Sequence, residues 1–205
     1  MNLLPIFTTP MWETRVDDFE KKKEHLIQAA KNFKEKYPES TKLNAHSGYQ
    51  SPLNLTKEPE FNEIFDFLCQ LGLKAAADLQ FVECDIFITS AWVNFFETKQ
   101  DMSYYHAHGD TFSGVVYLET PKDSGKLVIS NPGINLVWQG CMLTPQKNKF
   151  TSEKLVITPN EGKIFLWPSY LMHQVLPNNH DETRISLSFN LIAMPKGQLQ
   201  HNRNQ

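Results

Sequence analysis

The amino-acid sequence predicts an α+β fold in which N-terminal helices brace a β-barrel-like core. Two observations set that class. Residues 18–79 carry apolar side chains at helical spacing, whereas residues 81–195 break into short runs of β-branched and aromatic residues separated by turn signals. A third sets its size: 205 residues with 40% hydrophobic and 12% aromatic content can build one domain with a sizeable core. On this reading residues 1–80 form an arm and supporting helices of the same domain, 81–197 form the core, and 198–205 are a frayed tail.

Residues 3–12 alternate loosely between apolar and small residues, and Pro5 and Pro10 confine them to an edge strand or an extended arm. From Asp18 the stripe Phe19, Leu26, Ile27, Ala30, Phe33 and Tyr37 predicts a helix, with Asp17 placed to cap it, Glu20 in its first turn and Pro38 ending it. The lysines at 21–23, 31, 34 and 36 lie mostly off the stripe among acidic residues, as a solvated helix face does. Residues 39–57 are polar and turn-rich and read as a loop. Thr56 can then cap a second helix with the stripe Phe61, Ile64, Phe65, Leu68 and Leu71, and Gly72 marks a break before Ala75. Strands are expected at 81–96, 113–118, 126–129, 155–158, 163–166, 172–175 and 183–193. The Pro, Gly and Asn clusters at 121–125, 131–133, 159–162 and 177–179 separate several of them. The 39–57 loop and the Gln139–Ser152 insertion are candidate lids, since loops on a rigid scaffold commonly carry specificity.

Composition excludes several classes. Twenty Lys and Arg against 23 acidic residues give a net charge of −3, which offers no general attraction to nucleic acid. Cys69, Cys84 and Cys141 are odd in number and widely spaced, so neither a disulfide framework nor a CxxC metal site is suggested. No run approaches a membrane span, and the expectation is a soluble, cytoplasmic protein.

The chemistry is concentrated at Tyr104–Leu118. His106, His108 and Asp110 crowd within five positions at the mouth of an apolar run. Alternate residues of an extended chain face the same way, so a strand running into a polar turn can hold His108 and Asp110 on one side. One imidazole and one carboxylate at that spacing can grip a single ion. His173, on a later strand, is the natural third ligand, completing the two-histidine, one-carboxylate triad that leaves positions open on non-haem Fe(II). Further on, Arg184, Ser186 and Ser188 share one strand face while Ile185, Leu187 and Phe189 share the other. A guanidinium fork with a hydroxyl two residues on can hold the distal end of a dicarboxylate. A single histidine in a strand-rich domain usually just satisfies a hydrogen bond. The five residues in this order carry the reading. His25, His46, His180 and the tail residue His201 are expected to be structural or exposed, and Trp92 and Trp167 to be core or pocket wall.

The order His-x-Asp, distal His, then Arg-x-Ser resembles the Fe(II)/2-oxoglutarate-dependent oxygenases. More narrowly, three segments are similar to a 2-oxoglutarate/Fe(II) oxygenase family of bacteria and their phages: His106-Ala-His followed by Phe112-Ser-Gly-Val-Val-Tyr-Leu, Pro159-Asn-Glu-Gly-Lys-Ile-Phe-Leu-Trp-Pro-Ser-Tyr with His173, and Arg184-Ile-Ser-Leu-Ser-Phe-Asn. The likeness covers residues 81–195, and the opening Ile6–Trp12 segment shares it. It implies a double-stranded β-helix, a cupin-like jelly roll with iron at its open end. It also implies a dioxygenase of the hydroxylase type that couples oxidation by O2 to decarboxylation of 2-oxoglutarate to succinate and CO2. Carried over, His108, Asp110 and His173 would be the iron ligands, Arg184 would pair with the C5 carboxylate with Ser186 assisting, and Asn94 and Tyr117 would be further 2-oxoglutarate contacts. Members of the narrower group often carry His-x-His with a less regular carboxylate after it, so His106 with His108 and His173 is a rival triad.

Two other readings use the same residues differently. One is a cupin-like metalloenzyme without 2-oxoglutarate, disfavoured by the Arg184/Ser186 pair; the other is a non-enzymatic jelly-roll binding module, disfavoured by the intact ligand types. For an enzyme, the expected substrate is a small molecule or a peptide.

Overall fold

The computed structural model describes residues 2, 8–99, 101–133, 146, 148 and 150–196. Its elements are β1 (Trp12–Arg15), α1 (Phe19–Lys36), β2 (Tyr49–Gln50), α2 (Asn62–Asp78), β3 (Cys84–Phe96), β4 (Phe112–Glu119), β5 (Leu127–Ser130), β6 (Lys154–Ile157), β7 (Lys163–Pro168), β8 (His173–Val175) and β9 (Arg184–Pro195). Six strands form one antiparallel sheet in the order β1-β7-β4-β9-β3-β2, and three form another in the order β6-β5-β8. A bridge between His106 and His173 adds the 103–106 segment beside β8 in the smaller sheet. From β3 onward the chain alternates between the sheets, except at the β5–β6 hairpin. Two facing antiparallel sheets wound in this way make a jelly roll.

The period of two along each strand builds two separate apolar layers. Odd-numbered residues of β9 (Ile185, Leu187, Phe189, Leu191) and the matching face of β4 (Phe112, Val116, Leu118) pack with Phe19, Leu26, Ala30 and Phe33 of α1 and with Ile64, Phe65, Leu68 and Ala75 of α2. The opposite face of the large sheet contributes Val115, Tyr117, Phe165 and Trp167, which meet Leu127, Ile129 and Ile157 of the small sheet. The helices therefore cover the outside of the large sheet, and the interval between the sheets is left for a site.

Several local features depart from the sequence expectations. The cap of α1 is Asp18 rather than Asp17. It adopts a left-handed conformation (φ 53°), makes no side-chain capping bond, and accepts instead from Lys21 Nζ at 3.1 Å. Thr56 does not cap α2: it lies in a short 3-10 turn, Leu55–Lys57, and a second turn at Pro59–Phe61 leads into the helix. Gly72 does not break α2. A Cβ there would sit 2.9 Å from both Ile86 Cγ2 and Leu191 Cδ1, so the glycine lets the helix approach the sheet. β1 forms the sheet edge against β7, just after the proline-limited segment, while β2 arises within the stretch read as loop. Most of the 139–152 insertion lies outside the described residues.

The 39–57 stretch is strapped down. Gln50 Oε1 accepts from the backbone N–H groups of Asn44 (2.7 Å) and Ala45 (3.2 Å), while the Asn44 carbonyl accepts from Tyr104 N–H at 2.7 Å. Asn44 is thereby held beside the strand that carries His106.

Gly114 occupies the β4 position facing Phe189, where an added Cβ would lie 2.2 Å from the ring. Gly114→Ala should therefore cost about 1–3 kcal/mol, the usual range for overpacking, measured as a lowered urea midpoint at unchanged slope. Stability equal to the parent would show that Phe189 can shift freely.

Candidate active site

The inward face of the large sheet is unusually polar for a buried surface. Register pairs Arg184 with Phe96, Ser186 with Asn94 and Tyr117, Ser188 with Trp92 and Val115, and Asn190 with Ser90 and Ser113. Along β9 the inward positions thus read Arg184, Ser186, Ser188 and Asn190, and these residues line one narrow cavity together with Asn94, Tyr117, Trp92, Trp167, His106, His108 and His173. Its volume of about 50 Å³ is well under the roughly 300–1,000 Å³ typical of sites for drug-sized molecules. It suits a short, unbranched ligand.

At one level of this cavity the imidazoles of His106, His108 and His173 converge, with one ligand-capable nitrogen of each within 4.8 Å of the others. The backbone explains why. His106 and His173 exchange N–H···O=C bonds of 2.9 and 2.8 Å, which places their side chains on the same face of the small sheet. His108 is two residues along, and its N–H donates to the Ser169 carbonyl at 2.9 Å. His106 Nδ1 is 2.7 Å from the Tyr104 carbonyl and His173 Nδ1 is 2.9 Å from the Leu171 carbonyl. A carbonyl can only accept, so each Nδ1 carries the proton and each Nε2 keeps a free lone pair, as metal-ligating histidines require.

Burial lowers the pKa of all three rings. His108 falls to about 4, through burial first and its His106 neighbour second, against an opposing pull from Asp110. His173 falls to about 3, again through burial and then His106, and His106 itself is lowered by burial. All three are therefore neutral near pH 7, and a cation would have no proton to displace.

Asp110 stands apart from this cluster. The chain bends after His108, and Asp110 Oδ1 accepts a 2.6 Å hydrogen bond from Thr89 Oγ1. His46 is exposed with its ring 5.2 Å from Tyr104, His25 is exposed on α1, and His180 Nε2 pairs with Ser124 Oγ at 3.1 Å. None of these three lines the cavity.

Arg184 is 1% exposed. Its Cζ lies 5.2 Å from the ring centres of both Phe96 and Tyr117, and Nη1 is 3.5 Å from Ser186 Oγ. No carboxylate faces it among the described residues. Its Nε–H and the Tyr117 hydroxyl are both buried without a hydrogen-bond partner. Burial pushes the guanidinium pKa down and the phenol pKa up, but the guanidinium stays charged. A buried cation beside an idle phenol is half of an anion site. Asn94 is close by but engaged, donating from Nδ2 to Ser188 Oγ at 3.1 Å.

Sequence reasoning did not single out the far end of the cavity. There Ser113 Oγ donates to Asn190 Oδ1 (2.7 Å) and pairs with Ser169 Oγ (2.9 Å), while Asn190 Nδ2 donates to Ser90 Oγ (3.0 Å). The signal was available, because the alternation that selects Arg184 and Ser186 continues to Asn190.

Residues 90–190 match the profile of a family described as "Putative 2OG-Fe(II) oxygenase". Over those residues the chain resembles that family. The match takes in the three converging histidines, Asp110, Arg184 and the inward face of β9. No curated protein matches the chain. Among solved structures, a Pseudomonas putida prolyl-4-hydroxylase is 14% identical over 93% of this chain and 95% of its own, with a TM-score of 0.63. A non-haem α-ketoglutarate-dependent carbocyclase, SnoK of nogalamycin biosynthesis, is 14% identical over 96% and 87%, with a TM-score of 0.67. HygX from Streptomyces hygroscopicus, solved with nickel and 2-oxoglutarate, is 12% identical over 93% and 84%, with a TM-score of 0.62. At such identities the likeness is one of fold, and it places this chain among jelly-roll proteins.

An uncompensated buried charge destabilises the protein that carries it. Arg184→Met keeps most of the side-chain length and removes that charge. Without any ligand the variant should be more stable, by about 1–4 kcal/mol, seen as a raised Tm. A lowered Tm would mean that the guanidinium's contacts with Phe96 and Tyr117 outweigh its desolvation.

Proposed function

We propose that the protein is an Fe(II)- and 2-oxoglutarate-dependent dioxygenase of the hydroxylase type, acting on a small molecule or peptide with O2 and releasing succinate and CO2. One observation carries this reading: a buried arginine without a carboxylate partner shares a narrow cavity with three neutral, converging imidazoles. A dicarboxylate that also chelates a cation satisfies both ends at once.

The residues fit the implied groups. His106, His108 and His173 would hold iron through Nε2 of His106 and His173 and one ring nitrogen of His108. Asp110 is the rival third ligand. Its hydrogen bond to Thr89 and the two-way backbone pairing of His106 with His173 favour His106. Arg184 would bind the distal carboxylate in its planar fork, with Tyr117 donating from its free hydroxyl, Ser186 alongside, and Asn94 in the same row. Iron and 2-oxoglutarate bound there would supply the family's oxidising chemistry, in which decarboxylation of the 2-oxo acid is coupled to oxidation of the substrate. The chain's own contribution is to orient. Carbonyls of Tyr104 and Leu171 lock two imidazoles in one tautomer, and the apolar walls around Arg184 keep water off its anion. Three neutral imidazoles leave the full charge of a divalent cation for the cosubstrate's carboxylates to balance. Metal and cosubstrate should therefore bind cooperatively.

No helix among the described residues is long and apolar enough to cross a membrane. A cytoplasmic location is part of the proposal, and the net charge of −3 favours substrates other than nucleic acid.

Anaerobic titration of Fe(II)-loaded protein with 2-oxoglutarate should give a weak visible charge-transfer band, and Arg184→Ala should weaken the binding. A band absent despite stoichiometric iron would favour a cupin-like metalloenzyme that does not use 2-oxoglutarate. Failure to bind iron would leave a binding module. His106→Ala should lower Fe(II) affinity by at least about 100-fold, more than the roughly 10–100-fold cost of disturbing a ligand's outer partner. Asp110→Asn should change that affinity less than about tenfold. The reverse ranking would assign Asp110 as the ligand.

A further inference from the structure

Five side-chain polar atoms are buried without a hydrogen-bond partner among the described residues: Gln50 Nε2, Asn54 Oδ1, Tyr117 Oη, Trp167 Nε1 and Arg184 Nε. Native proteins leave few such atoms, and each calls for an explanation. Tyr117 and Arg184 have theirs in the distal carboxylate. Trp167 has none yet. It is 3% exposed, lines the same cavity, and stands edge-on to His173 with ring centroids 5.0 Å apart at 69°. Register places it in the row of Ser113 and Asn190, at the opposite end of the polar stripe from Arg184. It bonds none of the acceptors in that row: Ser113 Oγ is engaged with Asn190 and Ser169, and Asn190 Oδ1 accepts from Ser113. An indole N–H can only donate. Unsatisfied donors thus stand at both ends of the cavity, one set at the arginine and one beside a metal-competent histidine.

We infer that Trp167 is a positioning residue whose indole N–H donates to an oxygen at the metal-chelating, 2-oxo acid end of the cosubstrate. The inference rests on the 2-oxoglutarate reading and extends it to the end of the molecule that Arg184 does not reach. The donor makes the site selective for the chelating end. A dicarboxylate lacking the 2-oxo group, such as succinate, still satisfies Arg184 but does not gain the same contact, which also helps product leave.

Trp167→Phe keeps the aromatic wall against His173 and deletes only the N–H. Dissociation constants for 2-oxoglutarate and for succinate are measured anaerobically on Mn(II)-loaded protein by calorimetry. The expected result is a weakening of 2-oxoglutarate by about tenfold, the lower end for a hydrogen bond to a charged group, with succinate changed less than about twofold. Equal weakening of both ligands, or 2-oxoglutarate unchanged within about twofold, overturns the assignment. A second measurement does not depend on that variant folding. In Zn(II)-loaded, 15N-labelled parent protein, the Trp167 indole signal is identified by eliminating those of Trp12, Trp92 and Trp138 with single Phe variants. It should move downfield on adding 2-oxoglutarate and stay in place with succinate; a signal indifferent to both sinks the idea. Parent protein that binds no 2-oxoglutarate at all defeats the dioxygenase reading itself, whereas tight parental binding with an unaffected Trp167→Phe defeats only the role of Trp167.

Discussion

The constraint on which the structure depends is the alternation of β9. This strand lies between β4 and β3 in the large sheet, so its residues from Arg184 to Leu191 are committed to one of two interior faces. Ile185, Leu187, Phe189 and Leu191 support the helices, while Arg184, Ser186, Ser188 and Asn190 face the interval between the sheets. A one-residue slip would put a guanidinium under α1 and α2 and seal the cavity with leucine and phenylalanine. The register is held by β3 along its length, and at Ile88/Ser90 and Tyr117/Glu119 an extra residue switches the alternation of β3 and of β4 while β9 keeps its own. The helix layer and the site are two faces of one strand pattern.

The division carries an energetic tension. The helix-covered face is dry and close-packed, with glycines at 72 and 114 where helix or ring comes nearest. The inner face holds a buried cation, an unpartnered phenol and an unpartnered indole. Each of these costs stability in the free protein, a cost that binding an anion with several acceptors would offset. The histidines follow the opposite logic: their burial keeps them neutral, so the same low-dielectric surroundings that penalise Arg184 prepare the imidazoles to receive a cation.

Much of this was legible in the chain. The core strands stood out because β-branched and aromatic runs alternate with Pro, Gly and Asn turns, and Arg184 and Ser186 stood out because they interrupt an apolar alternation at a period of two. What was hidden depends on close approach and local bending. Gly72 resembles a helix breaker in sequence but is a contact point for Ile86 and Leu191. The two-residue β2 has no periodicity to display. The third ligand was ambiguous for a geometric reason. His106, His108 and Asp110 are all two apart, so an extended chain would place all three on one side. The backbone stays extended and paired with β8 at His106 but turns after His108, which carries Asp110 toward Thr89. Sequence spacing cannot reveal where a strand stops.

The most direct test of the central claim is crystallographic. Crystals prepared anaerobically with Fe(II) and 2-oxoglutarate, with anomalous data collected at the iron edge, would locate the metal and the cosubstrate together. The account predicts one iron bonded to His106, His108 and His173, a 2-oxo acid chelating it with its far carboxylate on Arg184, and Asp110 still bound to Thr89. Iron coordinated by Asp110 in place of His106, or an empty arginine pocket beside a filled metal site, would contradict it.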